Sequence, residues 1–380
     1  MAKLARRGDI DIHVFYLWDF GVVETPDPGF GITLEWDIPL LDGYSYSFIP
    51  NLSKDPGNHH FFGYINPGLP GRIVRWKPDV IFLMNYAFLS YFLLLLDPRT
   101  WRLPILFRGD SHDIGRQDTL KIMVLKLIRR IVFTRFSAFL DVGENNREYI
   151  LASGVPRSRL FRSPHAIDNC RFQDARPVAV REGRILRSKL AIGSDQVLIS
   201  FVGKLIAIKR PFDLLRAFSL LPPEIRSRAA LLFVGEGKLK TDLRSACRAG
   251  RLENVQFLDF QNQSAMPSIY AASDLLVLPS QNETWGLVVN EAMNLSCPAV
   301  VSDHVGCSPD LILPGRTGWV FPTGNVEALR DCLHQAVSDP AQLKQMGMNA
   351  AKHIAAFSFD SASAGLMDAL AFVRREKFTH

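Results

Sequence analysis

The sequence has few cysteines and no hydrophobic run long enough to be an unambiguous membrane span. Its five cysteines are widely spaced and include no Cys-x-x-Cys pair, so neither a disulfide framework nor a zinc site is predicted. The longest apolar run, residues 80–96, reaches only the lower limit for a membrane span. We interpret it as a buried strand and a packed helix. No apolar segment follows the basic residues at the start, which argues against a signal peptide. We therefore expect a cytoplasmic protein.

The sequence also lacks an extreme charge balance. Its 380 residues carry 44 basic and 38 acidic side chains, a formal net charge of +6. This mild excess gives no indication of nucleic-acid binding, but it leaves an anionic substrate or a membrane surface open. The nine histidines form no pattern typical of a metal site, so no metal is expected. The length favours two domains.

Short apolar runs alternate with helical patterns along the whole chain, which predicts an α/β protein with parallel sheets. We expect two Rossmann-like, doubly wound domains facing a cleft. The predicted boundaries give an N-terminal domain at 1–174, a C-terminal domain at 175–358 and a closing helix at 359–380.

The most informative stretch is 275–310. Leu275–Leu278 reads as a buried strand, and a polar loop follows it. Thr284–Leu295 has helical spacing, with Thr284 as the expected N-cap. Glu283 and Glu291 would lie only about 80° apart on a helical projection, so both side chains can face one crevice. Gly286, at the helix start, lets a ligand approach the backbone closely, and the free N–H groups there favour an anion.

This Glu-TWGLVVN-Glu unit resembles the Glu-x7-Glu motif of the group 1 (family 4) retaining glycosyltransferases, which have the GT-B fold. The resemblance covers nearly the whole chain and is strongest at residues 197–325. It implies that the C-terminal domain binds a nucleotide-sugar and that the N-terminal domain binds the acceptor. Glu291 would bind ribose hydroxyls, Glu283 the donor sugar, and the backbone near Gly286 and Leu287 the sugar or phosphate.

A second motif, FVGKLIAIKRP at 201–211, resembles the diphosphate-binding loop of the same family. Gly203 opens this loop, and Lys204 and Lys209 would neutralise the leaving diphosphate. Fixed cations at an oxygen that gains charge lower the barrier to bond cleavage. The loop at Gly235, after the next strand, would lie near the base. UDP- or GDP-linked donors are implied, with no further cofactor and no metal.

The N-terminal half carries the second group of candidates. A short apolar run at 104–107 ends at Arg108-Gly-Asp-Ser-His112, and ligands of open α/β sheets bind beyond the carboxyl ends of strands. In the family that the chain resembles, this loop carries a polar residue, often His, beside the transferred sugar, so the resemblance makes Asp110 and His112 candidates for orienting the donor sugar. The alternative is that Asp110 and Ser111 cap the next helix.

Two features of the N-terminal half differ from a standard doubly wound domain. The chain opens at the end of a helix, so the first strand and its Gly-rich turn are expected to be missing, which puts activity in question. The segment 25–51 is rich in Pro, Gly and aromatic residues. Its Trp36, Tyr44 and Tyr46 would either stack on a sugar or fill a small core of their own.

The predicted helix 120–136 has basic residues and no acidic residue. At 100° per residue its charges spread over roughly 220° of the circumference. This face either is solvated or contacts anionic lipid headgroups as a peripheral membrane surface. The basic residues of the helix are Lys121, Lys126, Arg129, Arg130 and Arg135.

The resemblance implies a retaining hexosyltransferase that uses a nucleotide-sugar and a glycan or lipid-linked acceptor. Two alternatives stay open. One is a non-catalytic protein that binds nucleotide-sugars, and the other is an epimerase or phosphorylase with the same fold. The products of the reaction distinguish all three.

Overall fold

The structure is a computed structural model that describes residues 1–27, 29–115 and 119–377, without the side chains of Lys121 and Lys377. The chain divides into two units. The first unit comprises residues 1–25, residues 39–164 and the chain from residue 360 onward. The second unit comprises residues 26–38 and 165–359.

Within the described residues, the strands are numbered β1 to β14 in chain order. They are His13–Tyr16, Thr25–Asp27, Ile32–Leu34, Ser45–Phe48, Ile81–Leu83, Ile105–Arg108, Ala138–Asp141, Leu160–Arg162, Val197–Val202, Ala229–Val234, Val255–Leu258, Leu275–Leu278, Ala299–Ser302 and Gly318–Phe321.

The α-helices of the same residues are numbered α1 to α15. They are Ala2–Ala5, Leu69–Trp76, Leu89–Leu96, Leu120–Phe133, Glu144–Ala152, Asn169–Lys189, Pro211–Ser219, Pro223–Arg226, Lys240–Ala249, Met266–Ala272, Leu287–Asn294, Ser308–Leu311, Val326–Ser338, Pro340–Ile354 and Phe359–Lys377.

The second unit is built on a six-stranded parallel sheet in the order β11-β10-β9-β12-β13-β14. The strand order reverses between β9 and β12, as in a doubly wound Rossmann-like sheet. Every residue of β9 and β10 is buried. Their sequences are apolar except for Ser200, as expected where helices cover both faces of a sheet. Phe201 and Phe233 form the core with helix residues such as Leu214 and Leu333.

The first unit contains two separate parallel sheets. Strand β1 pairs with β4, while β5, β6, β7 and β8 pair in that order. The described residues form no ladder between the two sheets, and residues of β1 and β5 line an apolar cavity of about 250 Å³. This divided sheet corresponds to the incomplete doubly wound sheet predicted for this part of the chain.

The segment 25–51, in which Pro and Gly are frequent, nevertheless contains the strands β2, β3 and β4. Strand β4 forms because β1 pairs with it, with His13 opposite Ser45, and such a distant partner leaves no local pattern in the sequence.

The chain passes from the first unit to the second after Pro164, whereas the sequence placed this boundary near residue 175. The reason is that α6 packs against α10 of the second unit. A Cβ on Gly183 of α6 would lie 2.9 Å from the Ala272 nitrogen, so only glycine permits this approach. The closing helix α15 lies with the first unit from Asp360 onward, where Ser163 Oγ donates a 3.0 Å hydrogen bond to the Ala362 carbonyl.

Candidate functional site

The site predicted from the C-terminal motifs lies in the second unit, where the strand order of the sheet reverses. Loops that follow β9, β10 and β12 surround a pocket of about 380 Å³. This position, beyond the carboxyl ends of the strands, is where doubly wound sheets bind ligands. The volume falls in the range of roughly 300–1,000 Å³ that is usual for small-molecule sites.

The structure brings the motif residues of this unit together. All eight that the sequence singled out line the pocket, although they come from three separate loops and one helix. They are Gly203, Lys204, Lys209, Gly235, Glu283, Gly286, Leu287 and Glu291.

Helix α11 begins later than the sequence predicted. Its N-cap is Gly286, in the left-handed conformation with φ of 98°, and not Thr284. Residues before it are held extended by the loop after β13: Gly306 N donates to the Glu283 carbonyl at 2.9 Å, and Cys307 N donates to the Trp285 carbonyl at 3.0 Å. Glu283 therefore lies outside the helix. The two carboxylates share a pocket, but the helical projection that predicted this does not apply.

Trp285 anchors this loop, a role that the sequence did not suggest. The indole is 3% exposed and donates a 2.8 Å hydrogen bond from Nε1 to Asn290 Oδ1. Its ring packs beside His165 with centroids 5.4 Å apart. The buried indole thus fixes the backbone between the two glutamates.

Lys209 and Glu283 form an ion pair within the pocket. Burial lowers the pKa of Lys209 to about 8, and the charge of Lys204 adds to this shift. A buried ammonium is stabilised when an anion pairs with it. Lys209 is therefore suited to hold a negatively charged ligand group near neutral pH.

Glu291 is almost fully buried, with 8% of the residue exposed. Tyr270 Oη donates a 2.6 Å hydrogen bond to Glu291 Oε2. Burial raises the pKa of Glu291, while Tyr270, Arg171 and Gln263 act in the opposite direction. The two Arg171 Nη atoms each donate a 2.9 Å hydrogen bond to Gln263. Arg171 lies on α6, before the six-stranded sheet begins in the chain, so motif spacing did not link it to Glu291.

Lys204 has an unexpected partner in the segment 26–38. Its Nζ lies 2.8 Å and 2.9 Å from the two carboxylate oxygens of Asp27. Phe30 and Trp36 of the same segment also line the pocket. By contrast, Tyr44 and Tyr46 belong to the first unit, where their rings contact each other with centroids 6.4 Å apart.

The loop after β10 requires a residue without a side chain at Gly235. Its φ is +136°, and a Cβ on it would lie 2.1 Å from the Gly203 carbonyl oxygen. The loops after β9 and β10 therefore approach each other at a distance that only glycine allows.

Asp110 and His112 lie in the first unit and are not among the residues that line this pocket. His112 is buried, and its Nδ1 accepts a 3.3 Å hydrogen bond from Ile114 N. Burial lowers the pKa of neighbouring Arg108 to about 10, and Asp110 opposes the shift. Arg108 donates to the carbonyls of Ser163 and Pro164, both at 3.3 Å.

One group of described residues has the geometry to hold a metal ion. The ligand atoms of Asp55, His59 and His60 lie within 4.8 Å of one another. These residues belong to an exposed loop of the first unit and none of them lines the 380 Å³ pocket. Within the described part of the chain, no helix is both long and apolar enough to span a bilayer.

Comparison with known proteins gives a consistent result. Residues 183–353 match the family described as glycosyl transferases group 1. The D-inositol 3-phosphate glycosyltransferase of Nocardia farcinica is 27% identical over 235 residues, which cover 60% of this chain and 51% of that protein. The chain spans about half the length of the curated relatives it matches.

Solved structures extend the similarity to both units. Anabaena Alr3699/HepE in complex with UDP has a TM-score of 0.67 at 16% identity, covering 87% of this chain and 86% of that chain. WaaG, a glycosyltransferase involved in lipopolysaccharide biosynthesis, has a TM-score of 0.65 at 16% identity, covering 96% of this chain and 93% of that chain. The chain therefore has the GT-B fold, with two Rossmann-like domains, and its residues 183–353 match the group 1 glycosyltransferase family.

Proposed function

We propose that this protein transfers a hexose from a UDP- or GDP-linked donor to a glycan or lipid-linked acceptor, with retention at the anomeric carbon. The observation that carries the proposal is one pocket that combines two lysines with two glutamates at the reversal point of a parallel sheet. A solved neighbour was crystallised with UDP, and the curated relatives are glycosyltransferases, which supports the donor class.

Lys204 and Lys209 would hold the diphosphate. As the bond between the anomeric carbon and the diphosphate oxygen breaks, that oxygen gains negative charge, and nearby ammonium groups stabilise it. The start of α11 adds N–H groups at Leu287 and Val288, which line the same pocket. Helix N-termini favour anions for the same electrostatic reason.

The two glutamates would position the rest of the donor. Glu291, held by Tyr270, presents a carboxylate that can accept hydrogen bonds from ribose hydroxyls. Glu283 precedes the start of this helix and would accept hydrogen bonds from hydroxyls of the sugar. Asp110 and His112 of the first unit remain our candidates for orienting that sugar.

In the proposed reaction the acceptor's oxygen bonds to the anomeric carbon, and the nucleoside diphosphate departs. The acceptor proton passes to the departing diphosphate. A non-catalytic binding protein would bind the donor without turnover. An epimerase would isomerise the donor, and a phosphorylase would depend on inorganic phosphate.

The test is to incubate the protein with UDP-glucose, UDP-galactose or GDP-mannose and a bacterial lipid extract. We expect release of nucleoside diphosphate together with transfer of labelled sugar, and NMR of the product would report the anomeric configuration. Lys209→Met should lower the rate by about 100- to 1,000-fold, as loss of one stabilising group does in other enzymes. Glu327→Gln, an exposed change on α13, is the matched control. Binding without any transfer would contradict the proposal.

We further propose that α4 contacts an anionic membrane surface, as the basic helix 120–136 suggested. The structure changes the basis of that hypothesis. Arg129 is buried in an ion pair with Asp113 at 3.1 Å, and Arg135 donates to the Thr100 carbonyl at 2.6 Å. These two arginines therefore stabilise the fold rather than a lipid contact.

The exposed face of α4 is apolar instead. Six of its seven exposed apolar side chains fall within about 140° of the helix circumference at 100° per residue, and Arg130 lies at one border of this stripe. Such a stripe with a basic border is typical of helices that lie in a membrane interface. The seven side chains, 43% to 78% exposed, are Leu120, Met123, Val124, Leu125, Leu127, Ile128 and Ile131.

Co-sedimentation with vesicles tests this surface. We expect binding to vesicles that contain phosphatidylglycerol and much weaker binding to pure phosphatidylcholine. Leu127→Glu combined with Ile131→Glu should abolish it, whereas Leu220→Glu, at an exposed position of the second unit, should not. The membrane proposal would be contradicted if the wild type did not bind vesicles but formed a dimer in light scattering, and if the double variant were a monomer.

A further inference from the structure

The segment 26–38, which we call the arm, covers part of the proposed donor pocket. The chain between residues 25 and 39 leaves the first unit and belongs to the second. Asn262 Nδ2 donates a 2.7 Å hydrogen bond to the Glu35 carbonyl, and Ser264 N donates at 3.1 Å to Asp37. Pocket residue Phe260 packs between the rings of Phe30 and Trp36. The arm thus forms a wall of the pocket.

Asp27 fastens the arm to the cation that would receive the diphosphate. Its carboxylate accepts hydrogen bonds from Gly29 N and Phe30 N at 2.8 Å and 3.0 Å, as well as from Lys204. Burial opposes its ionisation, but the bonds from Lys204 and Phe30 more than offset this and lower the pKa of Asp27. Asp27 is therefore an anion near neutral pH.

The arm fits closely onto the Lys204 side chain. A Cβ on Gly29 would lie 2.7 Å from Lys204 Cδ, and Lys204 Nζ lies 4.8 Å from the centroid of the Phe30 ring. Both the charge and the methylene groups of Lys204 are thus in contact with the arm.

Both lysines of the pocket already have a carboxylate partner. Lys204 is paired with Asp27, Lys209 is paired with Glu283, and Glu291 adds a further carboxylate. A diphosphate brought next to Lys204 would lie beside the Asp27 carboxylate, and like charges at such distances repel each other. Asp27 and the diphosphate therefore compete for the same ammonium.

We propose that Asp27 is an internal counterion that occupies Lys204 in the empty protein, and that nucleotide binding releases the arm by displacing it. This inference rests on the proposed function, because it assumes a diphosphate at Lys204. It makes a further prediction about the product. A free nucleoside diphosphate carries more negative charge than the sugar-linked form, since its terminal phosphate ionises again near neutral pH. Asp27 should therefore disfavour UDP more than UDP-glucose.

The experiment is calorimetric titration of UDP, GDP and UDP-glucose into the wild type, Asp27→Asn and Glu35→Gln. The second variant removes the same charge from an exposed side chain of the arm. We expect Asp27→Asn to lower the Kd of UDP by about ten-fold, because the variant loses the charged hydrogen bond to Lys204 that competes with the ligand. The Kd of UDP-glucose should change less. Glu35→Gln should alter both less than about two-fold.

Hydrogen exchange supplies a second readout. If the diphosphate displaces Asp27 and releases the arm, the amide of Asp37 loses its acceptor, Asn262 Oδ1, so its exchange should accelerate when UDP binds to the wild type. Slower exchange there, or an unchanged or higher Kd for Asp27→Asn, would overturn the inference and assign Asp27 to holding Lys204 in place.

The proposed function and the inference can fail separately. A wild type that binds UDP or GDP, together with a Glu291→Gln variant that does not, supports the donor site whatever Asp27→Asn does. If the wild type and Asp27→Asn are both folded by thermal melting and neither binds UDP or GDP, the donor site and the inference are both refuted.

Discussion

Lys209 links the binding of an anion to pH. Its pKa of about 8 means that the side chain is charged at neutral pH and becomes neutral as the pH rises through that value. A diphosphate binds the charged form, so the contribution of Lys209 is complete below the pKa and is lost above it.

We therefore expect the affinity for UDP-glucose, whose diphosphate does not ionise further in this range, to be constant between about pH 6 and 7 and to fall as the pH rises from about 7.5 to 9. Calorimetric titration across this range measures the effect. Lys209→Arg should flatten the profile, because a guanidinium stays protonated throughout. An equal fall in that variant would assign the pH dependence to another group.

At the residue scale, the sequence was sufficient where the signal is local. Lys204 and Lys209 lie within one loop, and Glu283 and Glu291 flank one helix start, so each pair forms a short motif from which the family resemblance implied a shared ligand. Asp27 and Tyr270 were missed because each meets its partner only after folding. Asp27 precedes Lys204 by 177 positions, and no local pattern connects them.

Helix α11 and the loops beside it are the elements that shape the pocket. The sequence predicted the helix and its glycine but placed the start at Thr284. Backbone hydrogen bonds from the loop after β13 hold residues 283–285 extended, and these bonds depend on the neighbouring strand. The helix therefore begins only after Gly286.

The contact between the loops after β9 and β10 can be tested with Gly235→Ala. The new Cβ would meet the Gly203 carbonyl at 2.1 Å, so we expect the free energy of unfolding to fall by about 3 kcal/mol or more and UDP binding to be lost.

Gly315→Ala is the matched control, because its φ is also positive, at +71°, but no heavy atom lies within 4 Å of the added Cβ. It should cost only about 1–2 kcal/mol of backbone strain and leave UDP binding intact. Urea unfolding and titration measure both variants. Equal effects would mean that backbone conformation, and not the close approach of the loops, requires Gly235.

At the scale of the whole molecule, the proposed donor pocket belongs to the second unit alone. Every residue that lines it falls within residues 26–38 or 165–359. A ligand that binds only the folded form stabilises it by about 2.7 kcal/mol at 100 times its Kd. Bound UDP should therefore slow hydrogen exchange in residues 197–294. Protection confined to residues 39–164 would place the nucleotide in the first unit instead.

The sequence by itself determined the fold class, the six-stranded sheet of the second unit and the donor-site motifs. Apolar strands, helix starts and charged loops can each be recognised from a few consecutive residues. Only the tertiary structure decided that the arm belongs to the second unit, that Asp27 occupies Lys204, and that the exposed face of α4 is apolar rather than broadly basic. These features depend on partners distant in the chain and on which side chains the fold buries, and neither is encoded in local spacing.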